Sequence, residues 1–325
     1  MENSILSIKD LIVHFEMDYG IVEAVNDLSL DIRRGEVLGL VGETGAGKTT
    51  VALSIMGLLQ KPQGHVIQGS VVLDGEELLD KTTKQMRHIR GEKVSMIFQD
   101  PMTALNPLET VGSQIAEVIR IHQKVSAAEA LIKAKELLAM VGIDEKRSGE
   151  YPHQFSGGMK QRVVIAIAMA CRPMLLIADE PTTALDVTIQ AQVLELMKEQ
   201  IKSNNMSVLM ITHDLGVIAE ICDRCAVMYA GEIVEEGTTY QVIDTPRHPY
   251  TVGLLHSLPT IDKDVDRLIP IEGAMSDPLD LPRYCSFYDR CPDRCDRCKE
   301  GNPVLKEVEP GHFVKCFVKG ESANE

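Results

Sequence analysis

Four short apolar runs punctuate the chain: VLGLV at 37–41, VSMIF at 94–98, MLLIA at 174–178 and SVLMIT at 207–212. Unbroken apolar runs of this length suit strands buried on both faces, as in parallel sheets. Between them, apolar residues recur every three or four positions, for example in AAEALIKAKELLAMVGI at 127–143, and that spacing predicts helices. Strands alternating with helices give an α/β fold with a mostly parallel sheet, and the early part of the chain leaves room for antiparallel strand. Each run leads into polar groups: a glycine-rich loop, Gln99, Asp179 with Glu180, and His213. The carboxyl ends of parallel strands border the ligand crevice in open sheets, which makes these groups the candidate site.

The pattern changes near residue 245. Nine of the fifteen prolines lie from Pro246 onward, where long helices become implausible. We therefore expect a first domain over 1–245 and a C-terminal extension over 246–325. Within the extension, Leu258 to Pro282 reads as a linker and Tyr284 to Phe317 as a small cysteine-bearing module. The longest apolar run, Val163 to Cys171, is far shorter than the ~20 residues needed to span a bilayer. The N-terminal MENSILSIKDL has neither a basic lead into an apolar run nor a small-residue cleavage site, so the expected mature start is near Met1, without an export signal.

Composition narrows the partners. With 325 residues, 44% of them hydrophobic, the chain can bury a large core, which argues against disorder and against a disulfide-held miniprotein. The net charge of -15 has the wrong sign for gripping phosphate backbones, so nucleic acid is not an expected partner. Eight cysteines without an export signal fit a reducing compartment, where thiols serve metals or chemistry more often than disulfides.

The loop GETGAGKT at 42–49 fits the P-loop pattern and sits between a strand and a helix. Glycines at Gly42, Gly45 and Gly47 let backbone N–H groups of the loop, from Gly42 through Glu43, Thr44, Gly45, Ala46 and Gly47 to Lys48, Thr49 and Thr50, approach phosphate oxygens. Lys48 is expected on the β and γ phosphates and Thr49 on Mg2+. The adjacent carboxylates after the MLLIA run divide naturally: Asp179 serves the magnesium through water, and Glu180 orients or deprotonates the attacking water.

FSGGMKQR at 155–162 then resembles the signature motif of the ATP-binding cassette (ABC) family, usually LSGGQ, with Phe155 and Met159 at the departing positions. The resemblance implies a P-loop NTPase fold with a helical subdomain over about 100–172. It implies that Ser156, Gly157 and Gly158 face the γ-phosphate held by a second cassette, so that ATP is sandwiched in a dimer. Gln99 matches the Q-loop and a magnesium contact, ALD at 184–186 the D-loop, and His213 the switch histidine. Adenine would stack on Tyr19 or, alternatively, on Phe15. Gly231 reads as a tight turn without a catalytic role.

RHPYTVGLL at 247–255, DPMTALNPLETVG at 100–112 and PTTALDVTIQAQVLEL at 181–196 are similar to ATPase subunits of dipeptide, oligopeptide and nickel importers, most nearly the D-type subunits of dipeptide permeases. That likeness implies ATP hydrolysis at the cytoplasmic face of the cell membrane. Implied partners are two transmembrane permease subunits, a second ABC ATPase subunit and, indirectly, an extracytoplasmic solute-binding protein. A nickel importer and a soluble cassette ATPase of DNA repair are the alternatives. The spacing of Cys285, Cys291, Cys298 and Cys316 recurs in this subfamily, with Cys295 additional. It is read as holding a [4Fe-4S] cluster, with Zn2+ or unligated thiols as alternatives. Such a metal would staple a module poor in apolar residues. Cys171, Cys222 and Cys225 read as ordinary buried or half-buried thiols.

Overall fold

The computed structural model describes residues 4–182, 185–257 and 270–320. The chain forms two compact units, each built from separate stretches of sequence. One comprises Met1–Leu6, Ile32–Val37 and Leu73–Ile211; the other comprises Ser7–Asp31, Leu38–Val72 and Thr212–Glu325.

In the first unit, strands Val94–Ile97, Leu175–Asp179 and Ser207–Ile211 pair in parallel, with Ala178 opposite both Ile97 and Met210. All three strands are buried along their length, as their unbroken apolar sequences require. Phe98 lies beyond the second predicted run's strand and is exposed. The common register brings the strand ends before Gln99, Glu180 and Thr212 into line.

The helices of this unit start where their sequences supply caps. Ser126 and Glu129 form a capping box at the head of helix Ala127–Met140, satisfying two of the amides that a first turn leaves without partners. The helix buries Ala130, Ala134 and Leu138, one face at four-residue spacing, and it stops short of the predicted 143 because Gly142 turns left-handed at φ 73°. Thr110 caps Val111–His122, and Asp186 caps Val187–Asn204 by accepting from the Ile189 N–H.

In the second unit, strand Val37–Val41 runs parallel to Arg224–Tyr229, with Val41 opposite Val227. Arg224–Tyr229 pairs antiparallel with Glu232–Thr238 through the turn Ala230 and Gly231. Glu232–Thr238 then pairs antiparallel with His312–Val314, and this strand with Lys306–Glu309. The long strands Ser4–Met17 and Gly20–Arg33, joined at Asp18 and Tyr19, form a second sheet with Gly64–Leu73, fulfilling the expectation of antiparallel strand early in the chain.

Candidate functional site

The P-loop leaves strand Val37–Val41 and enters helix Lys48–Met56, with Gly47 in the left-handed N-cap position. Its glycines are sterically required. A Cβ on Gly42 (φ 153°) would lie 2.2 Å from the Met228 carbonyl oxygen, and one on Gly47 (φ 102°) would lie 2.4 Å from that of Ala24. Gly45, at φ 88°, is also in the region that side chains disfavour. Lys48 is buried, and its ammonium donates to the Gly42 and Glu43 carbonyls at 2.7 and 3.0 Å, closing the loop on itself. This cradle, which a Cβ would fill, fits a phosphate chain. Thr44 and Thr49 are exposed beside it, and Thr50 is half-buried.

Two longer-range bonds hold the loop and a third backs one of them, and the sequence pattern alone does not reveal them. The Gly231 N–H donates to the Ala46 carbonyl at 3.0 Å, while the Gly231 carbonyl accepts from the Asn26 N–H at 2.9 Å. Gly231 thus links loop and strand, a structural part beyond the turn expected of it. The Glu43 N–H donates to the Tyr250 hydroxyl at 2.9 Å. Tyr19 is exposed in the turn between the first two strands, whereas Phe15 is half-buried and touches the position of a Cβ on Gly64. His213 follows the buried Thr212 and is exposed.

In the first unit, Gln99 and Glu180 meet: the Gln99 amide donates to Glu180 Oε2 at 2.8 Å. Asp179 ends its strand fully buried, and Glu180 sits at φ 48°, a left-handed conformation uncommon for a long side chain. The Glu180 N–H donates to the Ile211 carbonyl at 2.8 Å, which fixes this bend.

The signature motif opens helix Gly157–Met169, with Ser156 as N-cap accepting from the Met159 N–H. Ser156 and Gly157 are exposed, and a Cβ on Gly157 would meet nothing within 4 Å. Gly158 differs: its Cβ would lie 2.5 Å from an Ile189 methyl, so this glycine serves close packing of two helices. Phe155 is buried under the Arg147 guanidinium, 4.4 Å above its ring, which accounts for an apolar first position in the motif. Buried Gln161, which the sequence pattern did not single out, donates to the Pro181 carbonyl behind Glu180. Of the D-loop, Leu185 and Asp186 are described, and Ala184 lies outside the described residues.

The C-terminal cysteines require a correction. Among the described residues, no group of three or more His, Cys, Asp or Glu is arranged to hold a metal ion. The [4Fe-4S] cluster or Zn2+ expected on Cys285, Cys291, Cys298 and Cys316 gains no support from this geometry. Burial pushes the thiols of Cys285 and Cys291 up to about 12 and about 11, and the neighbouring thiols of Cys298 and Cys316 add to the rise. The sulfurs of Cys295 and Cys298 lie 3.5 Å apart. The cassette anchors the module. Strand His312–Val314 joins the sheet, Phe287 packs edge-on against Tyr229 and Tyr250, and buried His312 bonds Glu235 at 2.8 Å. Cys222 and Cys225 are buried and Cys171 half-buried, as expected.

Comparison with known proteins gives two family matches along the chain. Residues 25–183 match a family model described as ABC transporter, and residues 234–298 match one described as Oligopeptide/dipeptide transporter, C-terminal region. The chain is 48% identical to the oligopeptide transport ATP-binding protein AppD of Bacillus subtilis (strain 168), over 99% of both chains. It is 47% identical to the oligopeptide transport ATP-binding protein OppD of Escherichia coli (strain K12), covering 97% of this chain and 93% of that one. The dipeptide transport ATP-binding protein DppD of Bacillus subtilis (strain 168) is also 47% identical, over 98% and 96%. Among solved structures, the dimeric post-hydrolysis state of the ATP-binding cassette MJ0796 bound to ADP and Pi superposes with a TM-score of 0.65 at 29% identity, over 72% of this chain and 98% of that one.

Proposed function

The chain belongs to the ABC transporter family of ATPases, and we propose that it is the ATP-hydrolysing subunit of a membrane importer of dipeptides or oligopeptides. The observation that carries the peptide reading is the match of residues 234–298 to the transporter C-terminal region, on a chain that resembles peptide-transport ATP-binding proteins from end to end. Neither the nickel importer nor the DNA-repair ATPase has a comparable observation behind it.

The roles proposed for the residues follow from their chemistry. The glycine cradle and Lys48 bind the phosphate chain, Lys48 exchanging its loop carbonyls for phosphate oxygens. Thr49, Asp179 and Gln99 are the groups that would hold Mg2+, which when bound neutralises charge developing on the phosphates. Gln99 holds the Glu180 carboxylate, and Glu180 orients and polarises the attacking water. His213 completes the hydrolytic set, and Tyr19 offers an exposed ring for adenine. Ser156 and Gly157 at a helix N-terminus offer an anion site for the ATP of a second cassette, a reading supported by the dimeric form of the similar MJ0796 cassette. Gly158 serves the same motif by allowing its helix to pack.

In this reading, residues 1–245 form the ATPase domain, with the helical subdomain over about 100–172, and 246–325 the extension with its cysteine-rich module. Among the described residues no helix is long and apolar enough to cross a membrane. In the proposed assembly the work of ATP is passed to two permease subunits at the cytoplasmic membrane face, with a second cassette beside this one and a solute-binding protein delivering the peptide. Affinity capture of the tagged chain from gently solubilised membranes tests this. We expect two multi-span subunits and a second cassette to co-purify; recovery without membrane subunits, in company with nucleic acid or repair proteins, would overturn the proposal.

A further inference from the structure

The P-loop carries a feature at odds with its ligand. Glu43 puts a carboxylate on a loop that cradles a polyanion, where like charge opposes binding. The C-terminal segment answers it. Arg290 lies in the 3-10 turn Tyr288–Arg290, 247 residues later in the chain, and its guanidinium grips both Glu43 oxygens at 2.6 and 3.0 Å. The Arg290 side chain is only 5% exposed, while that of Glu43 is 32% exposed, so the guanidinium is enclosed and the carboxylate is reached by solvent on its other side. Two planar N–H groups against two carboxylate oxygens is a geometry that lysine does not reproduce.

The arginine is itself held. Its Nε donates to the Glu272 carbonyl at 3.1 Å, and its face lies over the Tyr229 ring, 5.8 Å from the centroid. The partnership with Glu43 raises the affinity of the guanidinium for its proton still further, so the charge is permanent. Two more residues of the same segment back the loop. The Tyr250 hydroxyl accepts from the Glu43 N–H, and the Met275 methyl lies 3.0 Å from where a Cβ of Gly45 would be. Residues 42 and 47 are confined from other directions, by the Met228 and Ala24 carbonyls. The C-terminal segment therefore governs the middle of the loop, at 43 and 45.

We infer that Arg290 is a positioning residue for ATP: by neutralising and anchoring Glu43 from the C-terminal segment, it keeps the P-loop in the form that accepts the phosphate chain. The inference rests on the P-loop reading above and adds to it a task for the extension within the ATPase cycle. It also places that task next to Cys291 in the sequence.

Binding of ATP-γ-S with Mg2+ to the full-length chain tests it, by titration calorimetry on Arg290→Ala, Arg290→Lys, Glu43→Gln and the double variant Glu43→Gln/Arg290→Ala. Loss of the bidentate pair should weaken binding about tenfold in Arg290→Ala, with Arg290→Lys intermediate. In steady state, KM for ATP should rise by more than kcat falls. The double variant should recover affinity to within about threefold of wild type, because the uncompensated carboxylate is gone. A brace that acted only through packing would leave the double variant as weak as Arg290→Ala, and that result would overturn the inference, as would an Arg290→Ala affinity within twofold of wild type. Should Arg290→Ala not fold, a double variant that folds and binds normally supports the inference and one that does neither refutes it. Lys48→Ala is the separate control: unchanged affinity there removes the P-loop reading itself, whereas lost affinity there with no effect at Arg290 removes only the inference.

Discussion

Glu180 combines an uncommon left-handed backbone with a carboxylate held by Gln99, and its amide is tied to Ile211. The backbone aims the side chain and the hydrogen bond fixes its rotation, which suits the role proposed for it, polarising one water. Glu180→Gln should keep ATP binding and lower turnover by about 100-fold or more, read by phosphate release; near-normal turnover would remove Glu180 from the mechanism. A second residue gives a pH signature. Burial lowers the His248 imidazole to about 4, against the opposing pull of Glu235, with Lys315 also nearby. The folded state keeps His248 neutral while the unfolded chain protonates its histidine near 6.5, so the unfolded state binds the extra proton in this window. The contribution of His248 to stability is therefore complete above about 6.5 and is lost as pH falls towards about 4. His248→Asn retains an acceptor for the Tyr250 N–H, which His248 Nδ1 now caps. Its melting temperature should fall less between pH 7 and pH 5 than that of the wild type; equal slopes would contradict the assignment.

At the scale of elements, glycines separate folding from function. Gly47→Ala meets both a positive φ and the Ala24 carbonyl, so it should destabilise the chain by about 2 kcal/mol or more in addition to weakening ATP binding. Gly157→Ala meets open space at the first turn of a helix, and its stability should change by less than about 0.5 kcal/mol. Thermal melts of the two variants check this. A loss of hydrolysis in Gly157→Ala at normal stability would then report on the nucleotide itself. These elements were largely legible in advance, because unbroken apolar runs, a cap residue and a glycine loop are local signals. The strands after which Gln99, Glu180 and the P-loop follow lie where the runs put them, within a residue or two. Gly158 was legible as part of a motif but not in its packing task, since Ile189 approaches it from another helix.

At the scale of the whole molecule, the extension is where local sequence says least. Prolines and cysteines suggested a loosely built module in need of a metal. The structure shows it held by partners far away in sequence: His312 on Glu235, Phe287 on Tyr229 and Arg290 on Glu43. Nothing around Arg290 in the sequence points to residue 43, so no periodicity or spacing could have found the pair. Buried Glu235 also accepts from the Arg247 and His248 N–H groups, at 2.7 and 2.9 Å, which ties the His-Pro-Tyr segment to the same sheet. The extension thus belongs to the same compact unit as the P-loop. The central claim, ATP-driven peptide import, is tested most directly by uptake of a labelled dipeptide or oligopeptide into cells lacking this chain. The account predicts that uptake is lost, is restored by the wild-type chain and is not restored by Glu180→Gln. Undiminished peptide uptake in the deletion strain alongside loss of nickel uptake, or full rescue by Glu180→Gln, would contradict it.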